Sequence, residues 1–593
     1  MSKLNPVVFE YPEFDNVKEI ILYGAQKFPD NKAFIVKHKS VAKKEETGKT
    51  KVAKDNEEVT FQNITYTQFI SDIYDFGTGL YNLGLKGKRV AIISKNCYEW
   101  MVAYIACMFG SMIAVPLDKG LTDVEIESSI LRSQVDAIIF EDKYTNIIEK
   151  VRKDGKSNLR EYICIQENKE FKKFYDILEK GKALLEKGEE DFKNNEVDGK
   201  ALAEMVFTSG TSAQSKIVML SQYNIVTNIV AMQKVEDFLP TDVTLALLPY
   251  HHKFGSTGQI ICLCSGMTTA FCDGLRYLQQ NMVEYGVTYF VGVPALVEGI
   301  YKKLMQAIDK QGKTKLVKTM IKISNGLRKI HIDIRRKLFK QIIDGLGGLR
   351  FVVSGAAPLD IEAEKAMNDL GIHVVQGYGM TEASPVLVCE GHKYSRYGSI
   401  GLPLPNVEVK LDGEDSDGIG ELVVKGPNVM LGYYNDEEKT KETIIDEWLY
   451  TGDLAKIDDD GFVYIVGRKK DMIVLKNGKK IFPDEIESLV NKLDLVEECM
   501  VFGLPKDDDV SLAVKIKYDK AVVSEKYADL SKEDLNKELW MQIKDINKEL
   551  PTYKYMKHLY IEENDFVKTT TNKIKRNEEM KKIENEHEIE NKL

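Results

Sequence analysis

The sequence predicts an α/β protein with a large amino-terminal domain, a β-rich subdomain and a small α+β carboxy-terminal domain. Over roughly the first 400 residues, short runs rich in β-branched residues alternate with longer amphipathic segments, which is typical of helices covering largely parallel sheets. Beyond that point, short apolar segments are separated by Gly, Asp and Asn, which favours hairpins of a smaller antiparallel sheet. From residue 468 the chain becomes strongly charged and returns to a mixed pattern.

The large domain contains a series of predicted strands with predicted helices between them. The strand-like runs are Arg89–Ser94, Ala137–Glu141, Glu204–Thr208, Thr244–Leu248, Thr288–Val293, Arg350–Ser354 and Ile372–Gln376. Two helix-like segments between them are Glu125–Ser133 and Ile225–Met232.

The β-rich subdomain is predicted from the short segments Val407–Leu411, Glu421–Lys425 and Phe462–Val466. We place the domain boundary near Gly467–Asp471, where the charged region begins. This gives an amino-terminal domain of residues 1–467, with the β-rich part at 400–467, and a carboxy-terminal domain of residues 468–593.

Composition limits the class of protein. The chain of 593 residues is 43% hydrophobic and 29% charged, with a formal net charge of −10, which indicates a multidomain globular protein and argues against nucleic acid as a partner. The amino terminus lacks a basic segment followed by an apolar run, and Gly110 and Pro116 interrupt the most apolar stretch, Trp100–Leu117. We therefore expect a buried helix and strand there, no transmembrane helix and a cytoplasmic protein. The 8 cysteines are scattered without a CxxC pair, which predicts reduced core thiols.

Three charged segments stand out. Residues 43–58 and 167–200 are poor in large apolar side chains, so we expect solvated loops or exposed helices there. Residues 310–340 hold eleven Lys or Arg side chains and a single acidic one. Their apolar residues recur at helical spacing: Leu316, Met320, Ile323, Leu327, Ile330 and Ile334. Such a helix can rest on an anionic membrane surface, or it can place its apolar side on the core.

A loop rich in hydroxyl groups indicates anion binding. Residues 207–216 read FTSGTSAQSK and begin at the end of a predicted strand. Small residues let backbone N–H groups turn toward an anion, hydroxyl groups donate hydrogen bonds, and Lys216 adds positive charge. The segment is not the GxxxxGK[ST] loop, and an ordinary Ser/Thr-rich loop is the alternative to a polyphosphate site.

Six further motifs follow this loop in order. They are SGAAPL (354–359), QGYGMTE (376–382), YTGD (450–453), GRKKD (467–471), NGKKIFPDEIE (477–487) and TTTNKIKR (569–576). Together with the loop they resemble the signature of the acyl-adenylate-forming superfamily of AMP-binding enzymes, over nearly the whole chain. The resemblance implies a luciferase-like or acyl-CoA synthetase-like fold, with two αβ-layered sheets in the large domain and a mobile small domain.

The resemblance also implies a nucleotide site. The ATP- or AMP-binding residues it indicates are Thr208, Ser209, Gly210, Thr211, Ser212, Lys216, Gly355, Ala356, Gln376, Gly377, Tyr378, Gly379, Asp453 and Arg468. An adenine ring would lie between the backbone of Gly355 and Ala356 and the ring of Tyr378. Asp453 would accept hydrogen bonds from the ribose hydroxyls, with Arg468 approaching from the linker. The competing interpretations are a core tyrosine and an ordinary turn aspartate.

Three residues are expected to carry the chemistry. Thr381 would donate to the α-phosphate, and Glu382 would hold Mg²⁺, an ion that prefers oxygen ligands. Lys573 would enter the site from the small domain and stabilise charge that develops on the phosphate oxygens. Without the motifs, a solvated glutamate and a surface lysine would be the simpler interpretations.

Fewer residues are expected to contact the acyl group and the thiol substrate. Lys470 resembles the hinge about which the small domain turns, and Gly478 the position that leaves room for the pantetheine arm of coenzyme A. His252, in LPYHHKFG, resembles a residue bordering the acyl pocket, although a structural histidine is the alternative.

The sequence departs from the family pattern at several positions. Ala213, Ser215 and Ile217 replace the second glycine and the Pro and Gly of the phosphate loop, and Gln222 replaces the histidine of a Ser-His pair. Asn572 stands where glycine is usual, a mild exchange because Asn tolerates a left-handed backbone. We expect function with altered nucleotide affinity.

The function implied is activation of a medium- or long-chain fatty acid by ATP and Mg²⁺, followed by transfer to coenzyme A. The insertion between Pro294 and Ser354, the two histidines and VPALVEGIYKK (293–303) resemble the long-chain branch. An acyl carrier protein as acceptor, or another carboxylate-activating ligase, is the nearest alternative. A non-catalytic acyl or nucleotide sensor is a more remote one.

Overall fold

A computed structural model describes residues 4–41, 57–208, 215–506, 509–568 and 574–590. Through residue 403 the strands are β1 (Lys32–Val41), β2 (Glu57–Thr65), β3 (Arg89–Ile93), β4 (Ile113–Pro116), β5 (Ala137–Phe140), β6 (Glu161–Cys164), β7 (Lys172–Lys173), β8 (Leu202–Thr208), β9 (Lys216–Ser221), β10 (Val243–Ala246), β11 (Thr268–Phe271), β12 (Tyr289–Gly292), β13 (Phe351–Gly355), β14 (His373–Gly379), β15 (Val386–Cys389) and β16 (Leu402–Pro403). The helices of this part are α1 (Val17–Lys27), α2 (Tyr66–Asn82), α3 (Tyr98–Phe109), α4 (Asp123–Ser133), α5 (Thr145–Asp154), α6 (Phe174–Leu185), α7 (Gln222–Val235), α8 (Lys253–Cys264), α9 (Leu278–Tyr285), α10 (Pro294–Lys310), α11 (Thr314–Arg328), α12 (Arg335–Leu338), α13 (Lys340–Asp344) and α14 (Ile361–Asp369).

The rest of the chain contains two smaller groups of elements. Residues 408–468 form β17 (Glu408–Asp412), β18 (Gly420–Lys425), β19 (Gly432–Tyr433), α15 (Glu437–Thr443), β20 (Ile444–Ile445), β21 (Trp448–Ile457) and β22 (Val463–Arg468). Residues 473–590 form β23 (Ile473–Val474), β24 (Lys480–Ile481), α16 (Pro483–Val490), β25 (Val496–Lys506), β26 (Asp509–Tyr518), α17 (Lys520–Lys526), α18 (Lys532–Glu549), β27 (Met556–Glu562) and α19 (Arg576–Glu590).

Two large sheets form the amino-terminal domain. One has the strand order β16-β15-β14-β13-β12-β10-β11-β1-β2, and the other has the order β19-β9-β8-β4-β3-β5-β6-β7. Their interiors are parallel, and antiparallel pairs occur toward the edges, as at β14/β15 and β8/β9. The prediction of a mixed α/β domain built on largely parallel sheets is confirmed.

A helical layer connects the two sheets. Helix α3 is apolar on all sides and buried from Trp100 to Phe109, as expected of a helix enclosed by other elements. Its residues belong to one apolar core with Phe34 of the first sheet and Ile92 of the second. The stretch Trp100–Leu117 is therefore a buried helix followed by buried strand β4, as predicted.

The subdomain and the carboxy-terminal part have sheets of their own. Strands β17, β18, β21 and β20 form an antiparallel sheet with β22 beside β21, which confirms the predicted hairpins. Strands β25, β26 and β27 form another sheet, and a buried cluster extending from Leu475 to Met556 fills the small domain. An apolar contact between Phe482 and the pair Ile419 and Leu454 joins the two parts.

The expectation of a solvated insertion at 167–200 is wrong. Helix α6 buries Phe174 and Ile177 against α2, and the Phe192 side chain is fully buried. A Cβ atom at Gly181 would lie 1.7 Å from the Asp75 carbonyl, so the two helices approach closely. Charged residues dominate this segment, so its sequence pattern did not indicate that its few large apolar side chains would be buried. Of the segment 43–58, residues 43–56 lie outside the described part of the chain.

The basic segment 310–340 differs from a single amphipathic helix. Helix α11 ends at Arg328, and His331 has a positive φ of 63° before α12 begins. Val317 and Ser324 face the core, whereas Leu316, Ile323 and Ile330 are 57%, 56% and 63% exposed. The predicted apolar stripe is therefore divided, and part of it lies on the protein surface.

Candidate active site

The motifs SGAAPL and QGYGMTE lie side by side at one edge of the first sheet. Strands β12, β13 and β14 are parallel, so their carboxyl ends meet there, and Gly355 pairs with Gly377. Ligands in open α/β sheets bind at the carboxyl ends of the strands. Thr381 and Glu382 follow in a short 3-10 helix just beyond β14.

Three predicted nucleotide-binding residues contact one another. The Tyr378 hydroxyl donates to Oδ2 of Asp453 at 2.5 Å, and Nε of Arg468 lies 3.5 Å from Oδ1 of the same carboxylate. Pairing of β21 with β22 places Asp453 opposite Arg468. Burial, reinforced by Asp453, raises the pKa of Tyr378 well above its usual range, so the phenol stays protonated.

Small residues shape the backbone around Tyr378. A Cβ atom at Gly355 would lie 3.1 Å from Phe254, and one at Gly379 would lie 1.9 Å from the Pro385 carbonyl. Ala356 has a φ of 76°, which is uncommon for a residue with a Cβ atom.

The Gln376 side chain is occupied within the protein. It accepts a hydrogen bond from the Leu359 backbone at 3.1 Å and donates to Glu364 at 2.9 Å. The amide therefore anchors the end of the SGAAPL segment.

A second group of residues lies on the side expected to face the phosphates. Thr208 and Lys216 are cross-strand partners in the β8/β9 hairpin. Nζ of Lys216 lies 4.7 Å from the ring centre of Tyr433, whose hydroxyl donates to Oε1 of Glu382 at 2.8 Å. Burial lowers the pKa of Lys216, and nearby Lys439 contributes. Ser209, Gly210, Thr211 and Ser212 lie outside the described residues.

Tyr433 belongs to this second group, although the sequence motifs did not include it. Strand β19 pairs with β9, which places Tyr433 opposite Val218 on the strand that follows the predicted phosphate loop. The run LGYY follows the apolar Val429 and Met430, and this aromatic pair next to a glycine was the available signal. Tyr433 holds one oxygen of Glu382 in a fixed orientation.

The residues present fit a magnesium ion. Glu382 is 9% exposed, and a carboxylate in this position is a suitable hard oxygen ligand. Thr381 precedes it directly, and Lys216, whose Nζ lies 4.7 Å from the ring centre of Tyr433, interacts electrostatically with Glu382.

His252 lies at the start of α8. Its Nε2 atom is buried, and no described residue forms a hydrogen bond with it. Burial, reinforced by adjacent His251, lowers the pKa of His252 to about 4, so the imidazole is neutral at ordinary pH. A small pocket near it in the chain is lined by Leu247, Tyr250, Phe254 and Val291 among others, and Thr244 and Gln259 add polar groups to its wall.

Family models identify the chain. Residues 39–434 match the AMP-binding enzyme family, and residues 470–591 match the carboxy-terminal domain of AMP-binding enzymes. The chain belongs to the AMP-binding enzyme family. The resemblance drawn from the motifs is thus confirmed.

Curated relatives of this AMP-binding enzyme align over most of their length. Long-chain-fatty-acid–CoA ligase 5 of Rattus norvegicus is 30% identical over 74% of this chain and 69% of the relative. Fatty acyl-CoA synthetase B of Dictyostelium discoideum is 29% identical over 75% and 70%. Long chain acyl-CoA synthetase 4 of Arabidopsis thaliana is 27% identical over 74% and 71%.

Solved structures show the same fold. The anthranilate CoA ligase AuaEII in complex with anthranoyl-AMP has a TM-score of 0.72 at 19% identity, covering 96% of this chain and 98% of that one. ATP-bound MatB from Rhodopseudomonas palustris has a TM-score of 0.67 at 23% identity, covering 87% and 93%. The predicted fold class of this AMP-binding enzyme is confirmed. In the described part of the chain, no helix is long and apolar enough to cross a membrane.

The small domain of the AMP-binding enzyme carries the remaining predicted residues. Gly478 lies in an open turn between β23 and β24 with a φ of 79°, and Lys470 is exposed. Lys470 interacts electrostatically with Asp453 and Arg468, so it lies beside the group around Tyr378. A Cβ atom at Gly478 would meet no described atom within 4 Å. Lys573 lies outside the described residues, between Lys568 and Ile574, which form an antiparallel bridge.

Arg576 is a second residue whose role the motifs did not reveal. Its guanidinium contacts both carboxylate oxygens of Glu487 at 2.6 Å and the Val501 carbonyl at 2.9 Å. Asp471, next to Lys470, is 3.9 Å away. Arg576 therefore ties the chain that follows Lys573 to the motif NGKKIFPDEIE and to the predicted hinge.

Three of the residues that depart from the family pattern form contacts within the fold. Ser215 accepts hydrogen bonds from Arg132 through its hydroxyl and its carbonyl, and Ile217 is buried opposite Phe207. Gln222 donates to the Met108 carbonyl at 2.7 Å. Ala213 lies outside the described residues.

Proposed function

We propose that this AMP-binding enzyme is an ATP-dependent acyl-CoA synthetase acting on medium- or long-chain fatty acids. The observation that supports this most directly is the contact between Tyr378 and Asp453, two motif residues 75 positions apart in the chain. The names of the curated relatives, which are synthetases or ligases of long-chain or fatty acyl groups, support the substrate class.

The site groups have complementary tasks in this reaction. A fatty acid carboxylate attacks the α-phosphorus of ATP, the bond to pyrophosphate breaks, and acyl-AMP forms. Tyr378 and Asp453 bind adenosine, while Lys216 and Thr381 bind phosphate oxygens. Glu382 would hold Mg²⁺, and the ion would supply positive charge to the phosphates when bound.

Lys573 supplies a further positive charge to the α-phosphate oxygens in the transition state. The thiol of coenzyme A then attacks the acyl carbonyl, and AMP leaves. Turning about Lys470 would bring Gly478 to the thiol tunnel for this second step.

We place the acyl chain on the side of the small pocket near His252, which would have to widen to admit it. The wall of this pocket includes Leu247, Phe254 and Val291 together with the polar side chains of Thr244 and Gln259. Gly355 touches Phe254, so this pocket adjoins the backbone on which we place the adenine. A neutral His252 can orient the carboxylate without forming an ion pair that would hold it away from the α-phosphorus.

Pyrophosphate release tests the first half of the proposal. The chain is incubated with ATP, Mg²⁺ and acetate, benzoate, octanoate, palmitate or oleate. We expect release with the last three acids, and sustained turnover only with an acyl acceptor. No release with any acid would overturn the enzyme proposal and favour a sensor.

The acceptor is tested separately. Coenzyme A and a holo acyl carrier protein are compared at equal concentration with the preferred acid. We expect AMP release to accelerate with coenzyme A. Acceleration only with the carrier protein would instead identify an acyl–carrier-protein synthetase.

We also propose a peripheral contact between the basic segment and an anionic membrane. Exposed Leu316 and Ile323 are seven residues apart on α11 and share one helical face, and exposed Ile330 follows in the turn after the helix ends at Arg328. Lys318 and Lys322 are exposed between Leu316 and Ile323, and exposed Lys315 precedes Leu316. Apolar insertion and attraction to anionic lipid would then act together, and fatty acids partition into the same surface.

Vesicle flotation tests this contact. The variant Leu316→Ser/Ile323→Ser/Ile330→Ser removes the exposed apolar groups while the core-facing Val317 and Ser324 are retained. We expect wild type to float with vesicles containing phosphatidylserine, and the triple variant to lose most binding. A control, Leu275→Ser, changes a side chain that is 62% exposed elsewhere. Equal flotation of wild type and the triple variant would refute the contact.

The domain boundary near 468–471 and the cytoplasmic location remain proposals. The separate buried cluster of the small domain supports the boundary. Limited proteolysis should cut between Gly467 and Asp471 if this segment is the linker.

A further inference from the structure

A cluster of metal-ligating side chains lies at the other end of β14 from the candidate active site. His373 begins this strand, Glu236 follows α7, and His392 follows β15. Tyr378 lies five positions along the strand from His373, which corresponds to roughly 17 Å. The cluster is therefore separate from the predicted nucleotide-binding residues around Tyr378.

The possible ligand atoms of the three side chains lie close together. Nε2 of His373 lies 3.1 Å from Oε1 of Glu236. One ligand atom from each residue lies within 4.8 Å of the others. Two ligands of a tetrahedral zinc ion, each about 2.0–2.1 Å from the metal, are about 3.3 Å apart. The His373–Glu236 pair already has nearly this spacing. A small movement of the His392 ring would bring its nitrogen to a similar distance.

Neighbouring aromatic rings orient the two imidazoles. The His373 ring stacks on Phe351, with centroids 5.3 Å apart and an interplanar angle of 21°. The His392 ring packs edge-on against Phe9 at 5.6 Å. Ligands held this way lose little side-chain entropy when they bind an ion.

The backbone also fixes the cluster. The His392 amide donates to the Val235 carbonyl at 3.0 Å, which holds the loop after β15 beside the end of α7. The second oxygen of Glu236 accepts from the Asp237 amide at 3.1 Å, which orients the carboxylate toward His373.

We propose that Glu236, His373 and His392 form a binding site for a divalent transition-metal ion, with zinc the best match. Two imidazoles and one carboxylate favour zinc and its neighbours over Mg²⁺ and Ca²⁺, which take oxygen ligands. His392 is exposed, so the ion can enter from solvent and water can fill the fourth position. The ion joins α7, β14 and the loop after β15, and it stabilises the fold without taking part in acyl transfer.

Metal titration of the chelator-treated full-length chain tests this site. Zn²⁺ binding is followed by calorimetry, and Co²⁺ binding by its visible absorption, in wild type, His392→Ala and Glu236→Gln. We expect one site in wild type and at least about tenfold weaker binding in each variant. His331→Ala, which removes an exposed histidine elsewhere, should bind as wild type does.

Thermal unfolding and acyl activation test whether the effect of Zn²⁺ arises from this site. Zn²⁺ should raise the thermal midpoint of wild type and of His331→Ala, but not that of His392→Ala. Acyl activation should be equal in wild type and His392→Ala. Equal Zn²⁺ affinity in wild type and His392→Ala, or a thermal shift that survives this substitution, would overturn the proposal.

Discussion

The nucleotide side of the site and the small domain are built differently. Tyr378 and Asp453 are joined by a short hydrogen bond in the large domain. Links from the small domain to the large one include the ion pair of Lys492 with Asp360, whose side chains are 56% and 28% exposed, and that of Lys480 with Asp415, at 37% and 23%. Exposed pairs of this kind contribute little stability.

The two regions are therefore expected to contribute differently to the reaction. A prearranged surface can bind ATP without reorganisation. A domain with its own core, joined to the rest by exposed ion pairs and by the small apolar contact of Phe482 with Ile419 and Leu454, can change its position. We therefore assign nucleotide affinity to the large domain and catalytic charge to the small one.

The largest effect is expected from Lys573→Ala. Loss of one charge that stabilises the transition state should slow acyl-AMP formation about 10²–10³-fold. ATP affinity should change little, because the large domain binds the nucleotide. Single-turnover rates and equilibrium ATP binding measure the two quantities. If Lys573→Ala lost binding and rate together, the division between the domains would fail. Lys575→Ala is the matched control.

The second-largest effect is expected in the pH dependence of the stability of the large domain. His252 has a pKa of about 4 in the folded chain and about 6.5 when unfolded. The unfolded state binds more protons between these values, so stability should fall as pH decreases from 6.5 to 4, by about 2–3 kcal/mol. Unfolding at pH 7.5 and 5 in wild type and His252→Asn measures this, since the variant lacks this contribution. The same pH dependence in both chains would show that the imidazole is not held neutral.

A third, smaller effect is expected from Asp453→Ala. A hydrogen bond to a charged group contributes about 1.5–3 kcal/mol, so the Kd for ATP should rise about 10- to 100-fold. Tyr378→Phe removes the phenol but keeps the ring, and it should weaken ATP binding less than Asp453→Ala. Equilibrium ATP binding compares the variants. A larger loss in Tyr378→Phe would place the main adenosine contact on the phenol.

The smallest effect is expected from Lys492→Ala. A half-exposed ion pair contributes about 0–1 kcal/mol, so the thermal midpoint should change little. Acyl-AMP formation and thioester formation should keep their ratio within about twofold, because the contact only weakly favours one position of the small domain. A large change in this ratio would show that the pair with Asp360 holds the domain in place. Lys526→Ala, which removes a pair within the small domain, is the control.

The sequence predicted the sheets and the motif order, because β-branched runs and short motifs are local signals. It could not predict that Tyr378 would contact Asp453, since that distance depends on the packing of the subdomain against β14. The sequence motifs did not identify Tyr433 because the residues it contacts, Lys216 and Glu382, lie far from it in the chain. In α11, helical periodicity identified apolar residues but not which of them, Val317 or Leu316, would face the core.

Isotope transfer tests whether the fatty acid carboxylate attacks the α-phosphorus of ATP. Palmitate labelled with ¹⁸O in its carboxylate is supplied with ATP, Mg²⁺ and coenzyme A, and the products are analysed by mass spectrometry. If the carboxylate attacks the α-phosphorus, the AMP will carry one ¹⁸O and the pyrophosphate none. Unlabelled AMP, or label in pyrophosphate or inorganic phosphate, would contradict the acyl-adenylate mechanism.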